Sequence, residues 1–501
     1  DPTSAFSFYH QVTMKPPSSQ KKITPSRPPK PLPELVHTAF DPLVVPQYEP
    51  LKPEKPSPWW FGFMLLLLIC GGIFLFLVIQ NPIIPFLGYR LFADRAVLTW
   101  SGLVVQASTY VLVVFLLVVV ARYAFQMLFA LLYMIRYTFQ YGQKRGTFTP
   151  PVSVVVPAYN EEKLIRQTLL SLLSMDYPEY EVIVVDDGSQ DQTARIVERV
   201  LGKHGNVTLR LVTKPNGGKA SALNAGIQVA KHDFVLCADS DSNLAPETLR
   251  MAIRHMEDPK IGAVAGNVKV LNRNTWWTTF QALEYVEGLN LTRTAQSFFK
   301  LVNIVPGPVG LFRKSTIEKV GWYSSDTFAE DCDITLKMLR KGWQVVYEPM
   351  AVSWTEAPNT ISSLIKQRYR WTRGILQAIR KNRHQTWSNF GAWLQMWLVI
   401  FEAFVWPFAN VFATVYFIYV AFTYSIAYYL LYWWLGLTLL DMAMALCAVA
   451  AEREEVRLVW YAVFYRIFFV LVIDICKILA TIEEFLGIRM HWGKLDRIGS
   501  R

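Results

Sequence analysis

Long apolar runs stand at both ends of the chain, and short apolar runs alternate with polar residues between them. Near the N-terminus, Trp59–Ile79 and Leu103–Ala121 are each close to the roughly 20 residues that a helix needs to cross a bilayer. The apolar character continues through Tyr123–Ile135, which we interpret as a helix lying on the inner surface of the membrane. Residues 59–136 are therefore predicted to form two transmembrane helices.

A second apolar region covers residues 392–486. Two spans are predicted at Ala392–Val420 and Ala427–Ala450, because no Lys or Arg occurs between His384 and Glu452. A last apolar segment, Leu458–Leu486, is interrupted by Arg466, Asp474 and Lys477. This segment is either a third span or a re-entrant or interfacial element, and the sequence leaves both alternatives open.

Between the apolar regions, the pattern predicts an α/β domain at residues 147–360. Val152–Val156, Val182–Val185 and Phe234–Ala238 are short runs typical of buried parallel strands. Helical segments alternate with them at Glu161–Met175, Ala194–Leu201, Ala220–Ala230, Ala245–Met256 and Asp331–Lys341. This alternation predicts a doubly wound sheet, which binds ligands beyond the carboxyl ends of its strands. An amphipathic interface helix is predicted to follow at residues 361–385.

Composition and charge support a membrane protein with a cytosolic domain. Hydrophobic residues make up 52% of the 501 residues and charged residues 18%, below the roughly 25% of soluble proteins. Basic residues precede the first span and follow the second at Arg136, Lys144 and Arg145, which places the domain in the cytosol and the chain in the plasma (inner) membrane. The net charge of +11 occurs without any compact nucleic-acid-binding module, so anionic lipid or a nucleotide diphosphate is the expected partner.

The two ends of the chain are predicted to be cytosolic tails. Residues 1–58 contain 14 of the 28 prolines and show little periodicity, which is typical of a disordered segment. Residues 487–501 are basic, and their side of the membrane depends on the last apolar segment. The five cysteines show no CxxC spacing, so free thiols are expected.

Acidic residues follow two of the predicted strands and begin one predicted helix. Asp186 and Asp187 end one strand, and their carboxylates suit a nucleotide base or ribose, although Asp before Gly is also ordinary turn chemistry. Asp239 and Asp241 end another and suit Mg²⁺ or Mn²⁺ with its bound diphosphate.

Glu330 and Asp331 stand at a predicted helix start, where a carboxylate is either a cap or a general base. Cys332 follows in an acidic setting that disfavours a thiolate, so we exclude it as a nucleophile. The Asn216–Lys219 loop could place the Lys219 ammonium near a nucleotide, or be a plain loop before a helix.

The interface helix contains the sequence QRYRW. Helical spacing puts Gln367 and Trp371 on one face and Arg370 on an adjacent one. One interpretation is a helix lying on anionic lipid. The other is an aromatic platform for a sugar ring beside a cation for a leaving diphosphate.

In their order along the chain, these motifs resemble the processive family 2 glycosyltransferases, which include cellulose, hyaluronan, chitin-oligosaccharide and poly-N-acetylglucosamine synthases. The resemblance rests on VVVPAYNE, DDGS, NGGKASALNAG, ADSD, AEDCD and QRYRW. It implies a GT-A fold. It also implies donor binding by Asp186, Asp187 and Lys219, metal binding by Asp239 and Asp241, Asp331 as base beside Glu330, and diphosphate and acceptor contacts from Gln367, Arg370 and Trp371.

The implied function is inverting transfer from a UDP-sugar to a growing β-linked polysaccharide, which is exported through the membrane region. VPGPVGLFR (Val305–Arg313) favours a poly-N-acetylglucosamine-type synthase using UDP-GlcNAc. Ala329 replaces the Thr usual in cellulose synthases, yet a β-glucan synthase using UDP-glucose and a non-processive glycolipid transferase remain alternatives. The implied partners are the UDP-sugar, the nascent chain, membrane lipid and a small membrane accessory subunit or outer-envelope export partner, with no nucleic acid.

Overall fold

The computed structural model describes residues 100–141, 147–383, 390–423 and 427–488. Three predicted elements lie wholly or partly outside the described residues: the Pro-rich tail (1–58), the first span (Trp59–Ile79) and residues 489–501 of the C-terminal tail.

One nine-stranded mixed sheet forms the centre of the domain, in the order β3-β4-β2-β1-β5-β8-β7-β9-β6. The strands are β1 Val152–Ala158, β2 Tyr180–Asp186, β3 Gly202–His204, β4 Val207–Thr213, β5 Phe234–Cys237, β6 Ser242–Leu244, β7 Ile261–Val270, β8 Gly310–Arg313 and β9 Gln344–Thr355.

The first half of the sheet has the parallel arrangement that the sequence predicts. Strand β1 pairs in parallel with both β2 and β5, and β2 pairs in parallel with β4. All seven residues of β1 and of β2 are buried, which explains their nearly continuous Val and Ile runs. The chain moves outward from β1 to β2 and β4 and then returns to β5 on the other side of β1. Such a reversal of strand order creates a crevice for ligands at the carboxyl ends.

The second half departs from the doubly wound prediction, which was wrong there. Strand β8 is antiparallel to both β5 and β7, β6 is antiparallel to β9, and only β7 and β9 are parallel. Apolar runs such as those of β7 show that a strand is buried and do not encode its direction. The physical consequence is a mixed α/β sheet in place of a uniform one.

Fifteen α-helices lie within the described residues. They are α1 Trp100–Tyr141, α2 Ile165–Leu173, α3 Thr193–Glu198, α4 Lys219–Val229, α5 Thr248–Ile253, α6 Trp276–Glu284, α7 Leu291–Phe298, α8 Lys314–Val320, α9 Glu330–Arg340, α10 Ile361–Asn382, α11 Phe390–Ile400, α12 Trp406–Thr423, α13 Ala427–Glu452, α14 Leu458–Phe464 and α15 Leu471–Phe485. Short π-helical segments join α6 to α7, α11 to α12 and α14 to α15 at Tyr285–Asn290, Phe401–Val405 and Tyr465–Val470.

Helix α1 is one unbroken helix of 42 residues, so the separate surface helix predicted after Arg122 does not form. No Pro or Gly interrupts the chain at this point, and the guanidinium of Arg122 pairs with Glu402 at 2.7 Å. Three predicted helices are shorter than expected. Helix α2 begins at Ile165, four residues later than predicted, α3 ends at Glu198 instead of Leu201, and α5 ends at Ile253, where a 3₁₀ turn continues to Glu257.

The apolar helices are joined to the domain by buried polar contacts. The hydroxyl of Tyr133 on α1 donates to the carbonyl of Tyr347 at 2.6 Å, and that of Tyr137 donates to Glu348 at 2.6 Å. Beyond the end of α13, Glu454 pairs with Arg273 at 2.5 Å. Buried ionic groups are costly unless they are paired, so these contacts fix the position of the helices against the sheet.

By length and composition, two helical stretches among the described residues could cross a bilayer. They are Leu117–Tyr141 within α1 and Trp393–Tyr416 within α11 and α12.

Candidate active site

The acidic motifs lie at the carboxyl ends of neighbouring strands. Asp187 follows β2, and Asp239 lies just beyond β5, with β1 between them. The strand order therefore places these residues at one edge of the sheet. Asp186 forms the turn after β2, where its carboxylate accepts the N–H of Ser189 at 3.3 Å.

The Asp187 carboxylate holds the loop that leads into α4. It accepts the N–H groups of Gly217 and Gly218, the latter at 2.8 Å, and pairs with the Lys214 ammonium at 2.5 Å. Its side chain is buried and turned toward the protein. Asp187 thus positions the loop at residues 216–219, which we call the glycine loop. A bound nucleotide base or ribose would donate to the same carboxylate oxygens that accept from this loop and from Lys214.

Lys219 links the strand ends to the start of α9. Its ammonium lies 2.7 Å from Asp239 Oδ1 and 3.0 Å from Glu330 Oε1. Burial alone would lower the pKa of Lys219, but the two carboxylates outweigh burial and raise that pKa above its ordinary value. The cation therefore stays charged and offsets part of the negative charge gathered at this point.

Gly307, in the loop before β8, lies directly against this ion pair. A Cβ atom at position 307 would be 2.7 Å from Lys219 Nζ and 3.1 Å from an oxygen of Asp239. Such distances are shorter than ordinary van der Waals contact, so a side chain here would displace the ammonium. The glycine makes the close packing of loop and ion pair possible.

Glu330 and Asp331 are the first two residues of α9. A helix N-terminus favours negative charge, and Asp331 Oδ1 accepts the N–H of Cys332 at 2.8 Å. Burial, followed by the charge of Glu330, nevertheless raises the pKa of Asp331 to about 6. A carboxylate with that pKa is ionised at neutral pH and is a stronger base than an ordinary Asp, which suits proton abstraction.

The cysteines of the described residues are free thiols, as expected. Burial and the charges of Asp331 and Asp333 raise the pKa of Cys332 well above its ordinary value. This thiol stays protonated, which agrees with its exclusion as a nucleophile.

The QRYRW helix, α10, packs directly on the start of α9. Gly374 is so close to Ala329 that a Cβ at position 374 would lie 2.5 Å from the Ala329 nitrogen. The Thr327 hydroxyl donates to the Gly374 carbonyl at 3.0 Å, and the Gln377 side chain accepts the N–H of Phe328 at 3.2 Å. The backbone that precedes Asp331 is thus fixed by α10.

Within QRYRW, the structure pairs Trp371 with Arg368. The Arg368 guanidinium lies 4.2 Å from the centroid of the Trp371 ring, donates to Gln367 Oε1 at 2.7 Å and forms an ion pair with Glu284 of α6. Arg368 and Gln367 are buried, whereas Arg370 and Trp371 are half-buried. The aromatic platform predicted at Trp371 therefore has a cation on one ring face.

The donor atoms around Asp239 suit a divalent cation. Among the described residues, no group of three or more His, Cys, Asp or Glu side chains could hold a metal ion. Asp239 and Asp241 offer only carboxylate oxygens, and Asp241 is buried beside Ser242. Mg²⁺ typically takes one or two protein carboxylates and completes its shell with phosphate and water. The residues present fit a cation that arrives with a diphosphate.

Sequence reasoning missed Lys214, Gly307 and Arg368. Each acts through a contact distant in the sequence: Lys214 with Asp187, Gly307 with Lys219, and Arg368 with Glu284. The glycine in VPGPVG was the available signal, because a glycine between two prolines marks a loop that comes close to another group.

Comparison with known proteins agrees with this geometry. Residues 150–374 match the family model described as "Glycosyltransferase like family 2". The poly-beta-1,6-N-acetyl-D-glucosamine synthase of Staphylococcus aureus (strain COL) is 34% identical over 224 residues, 44% of this chain and 54% of the relative. The synthase of the same name from Staphylococcus epidermidis is 33% identical over 253 residues, 50% of this chain and 60% of the relative. The chain thus spans somewhat more than half the length of these curated relatives.

A similar solved structure is the mannosyltransferase PcManGT from Pyrobaculum calidifontis, in complex with GDP-Man and Mn²⁺. It has a TM-score of 0.52 and 24% identity, and the match covers 73% of this chain and 96% of that one. At this identity the likeness concerns the fold alone.

Residues 150–374 thus match the family 2 glycosyltransferases, and their mixed α/β sheet has a GT-A-like fold. Within this class of domain, the chain is homologous to the poly-β-1,6-N-acetylglucosamine synthases over the matched residues.

Proposed function

We propose that this enzyme is a processive, inverting synthase that transfers N-acetylglucosamine from UDP-GlcNAc to a growing β-linked polysaccharide. One observation carries the proposal: ion pairs join Lys219 to both Asp239 and Glu330, next to Asp331. This cluster lies at the carboxyl ends of the strands, where the strand order reverses around β1. The donor is proposed from the two staphylococcal relatives, whose names specify poly-N-acetylglucosamine.

The reaction we propose is a single displacement. Asp331 takes the proton from the acceptor hydroxyl as that oxygen bonds to the anomeric carbon and the bond from this carbon to the diphosphate oxygen breaks. A pKa of about 6 keeps Asp331 ionised at neutral pH for this role. Attack from the side opposite the leaving group inverts the anomeric centre, so an α-linked donor gives a β-linked chain.

The remaining site residues are proposed to hold the two substrates. Asp239 and Asp241 would bind Mg²⁺ or Mn²⁺, which when bound draws negative charge from the leaving diphosphate. Lys219 is proposed to move its ammonium from the carboxylates to the diphosphate, where Glu330 orients it. On the nucleoside side, Asp186 and Asp187 are proposed to position UDP through the glycine loop. Gln367, Arg370 and Trp371 are proposed to contact the diphosphate and the acceptor end of the chain.

The membrane region is proposed to export the product. Helices α1, α11 with α12, and α13 are proposed to cross the plasma (inner) membrane, with the catalytic domain in the cytosol. Exposed aromatic and aliphatic side chains on α12 support this placement, among them Phe412, Val415, Ile418, Tyr419 and Phe422. A small accessory subunit or an outer-envelope partner would complete the export path.

The test uses the full chain purified into lipid nanodiscs with Mg²⁺. UDP release is measured with UDP-GlcNAc, UDP-glucose and UDP-glucuronate, and the product is analysed for length and linkage. We expect release with UDP-GlcNAc and a long β-linked polymer. Turnover with UDP-glucose alone would instead support a β-glucan synthase, and a product with one added sugar would support a glycolipid transferase.

Asp331→Asn is the variant that tests the mechanism. Transfer should be lost while UDP binding is retained, because the amide cannot accept the proton. Asp326→Asn is the matched control, since Asp326 lies just before α9 with an exposed side chain paired to Lys381. Equal turnover of Asp331→Asn and the parent enzyme would exclude Asp331 as the base.

A further inference from the structure

The helical segment at 458–485, formed by α14, a π-helical turn and α15, has an unusual surface. Every exposed side chain from 458 to 482 is a large hydrophobic one: Trp460, Phe464, Ile467, Phe468, Ile475, Leu479 and Ile482. Their spacing places them along one side of the helix. A continuous apolar stripe of this length is a strong sign of an interaction surface.

The charged residues of the same segment face the protein. Arg466 donates to Asp441 of α13 at 2.6 Å, and Asp474, which is buried, accepts from Asn410 of α12 at 2.7 Å. Lys477 is half-buried and lies 3.9 Å from Asp474. Polar groups thus point inward and apolar groups outward, which is the arrangement expected of a helix surrounded by lipid rather than by water.

Both ends of the segment contact the catalytic domain. Near its start, the Tyr461 ring lies 5.6 Å from that of Trp276 on α6. Near its end, Glu484 pairs with Arg373 of α10 at 2.7 Å, and midway Cys476 lies 3.5 Å from the Ile365 carbonyl, also on α10. From 461 to 484 the helix rises about 35 Å, enough to cross a bilayer. A crossing helix would place one end on the far side of the membrane, away from this domain.

We propose that the segment at 458–485 lies in the plane of the cytosolic leaflet, with its apolar stripe inserted among the acyl chains. The apolar stripe contacts the lipid bilayer, and Ile488, which follows the segment, stays on the side of the catalytic domain. This placement resolves the alternatives that the sequence left open. It rests on the proposed membrane location of the enzyme. It also ties α10, through Glu483 and Glu484, to an element of fixed depth.

Spin-label depth measurements test the placement. Phe464, Ile475 and Leu479 are replaced one at a time by Cys and labelled in bilayers of phosphatidylethanolamine and phosphatidylglycerol. Accessibility to oxygen, which partitions into hydrocarbon, is compared with accessibility to a water-soluble nickel chelate. We expect all three labels to favour oxygen and to report one shallow depth. A depth that is greatest at Ile475 would show a spanning helix, and labels that favour the chelate would show a water-exposed one; either result overturns the proposal.

Labelling of the two flanks gives an independent measurement. Glu455→Cys precedes the segment and Ile488→Cys follows it, and both positions are exposed. A membrane-impermeant thiol reagent should modify both at similar rates in inverted vesicles and severalfold more slowly in intact cells. Modification from opposite sides would refute the placement. The parent chain is the blank, because its described cysteines are buried.

UDP release from the same preparations separates this proposal from the proposed function. An active enzyme whose labels lie in water would overturn the placement and leave the function standing. Labels at one shallow depth, in a protein that uses none of the donors, would overturn the function alone.

Discussion

Lys219→Met should shift the pH dependence of catalysis, because it removes a cation from a cluster of carboxylates and keeps the side-chain volume. In the parent enzyme Asp331 has a pKa of about 6, raised by burial and by Glu330 and held down by Lys219. Without the ammonium this pKa rises, and the base becomes protonated at a higher pH. Activity that requires ionised Asp331 is then lost earlier as the pH falls.

The size of the shift follows from Coulomb's law. A unit charge about 6 Å away in an effective dielectric of about 20 contributes about 3 kcal/mol, or about 2 pKa units. The Lys219 side chain is 36% exposed, so solvent screening reduces this effect. We take the shift as about 1 unit, which moves the pKa to about 7 and lowers the ionised fraction at pH 6 from about one half to about one tenth.

The assay measures kcat/KM for the UDP-sugar by direct quantification of UDP, from about pH 5 to 9, since this parameter reports groups of the free enzyme. Lys219→Arg keeps the charge and should leave the acid limb near its parent position. Lys214→Met is the matched control, because Lys214 pairs with Asp187 and not with Glu330. This variant should weaken donor binding without moving the acid limb of the pH profile, which is the fall in kcat/KM at low pH. If the acid limb of folded Lys219→Met coincides with that of the parent, the electrostatic argument is wrong.

Three further predictions concern the same site. Asp331→Asn should raise the melting temperature at pH 8 and leave it unchanged near pH 4. The pKa of Asp331 is about 6 in the folded state and about 3.8 ordinarily, so its ionised carboxylate destabilises the fold as the pH rises from about 4 to 6. Thermal unfolding of the variant and the parent at both pH values checks this. Gly307→Ala should lower kcat/KM about tenfold or more by displacing Lys219, whereas Gly288→Ala, whose Cβ would meet nothing closer than 3.9 Å, should have no effect. Asp187→Asn should raise the donor KM more than it lowers kcat, because the amide loses the ion pair that fixes the glycine loop; a change in kcat alone would contradict this.

The sequence predicts those parts of the site that depend on local pattern. The Val and Ile runs of β1 and β2 predict burial, and the acidic residues after β2 and β5 mark one edge of the sheet. The start of α9 was predicted within one residue, at Asp331 against the observed Glu330, because acidic residues precede a helical repeat. Local signals of this kind need no knowledge of distant contacts.

The features that the sequence did not predict are long-range. The direction of β8 depends on its pairing with β5 and β7, which lie far away in the chain. The bridge from Lys219 to Glu330 joins residues more than one hundred positions apart, and nothing near either residue indicates it. The unbroken helix at Arg122 was missed because its partner, Glu402, belongs to another apolar helix.

The contact between Gly374 and Ala329 has a mechanical consequence. Only a hydrogen atom fits between α10 and the backbone that leads to Asp331, so α10 cannot move closer to that backbone without displacing it. In the proposed reaction, a shift of α10 toward α9 would therefore also displace the proton acceptor. The position of the base would then depend on the helix that contacts the acceptor, through steric contact alone.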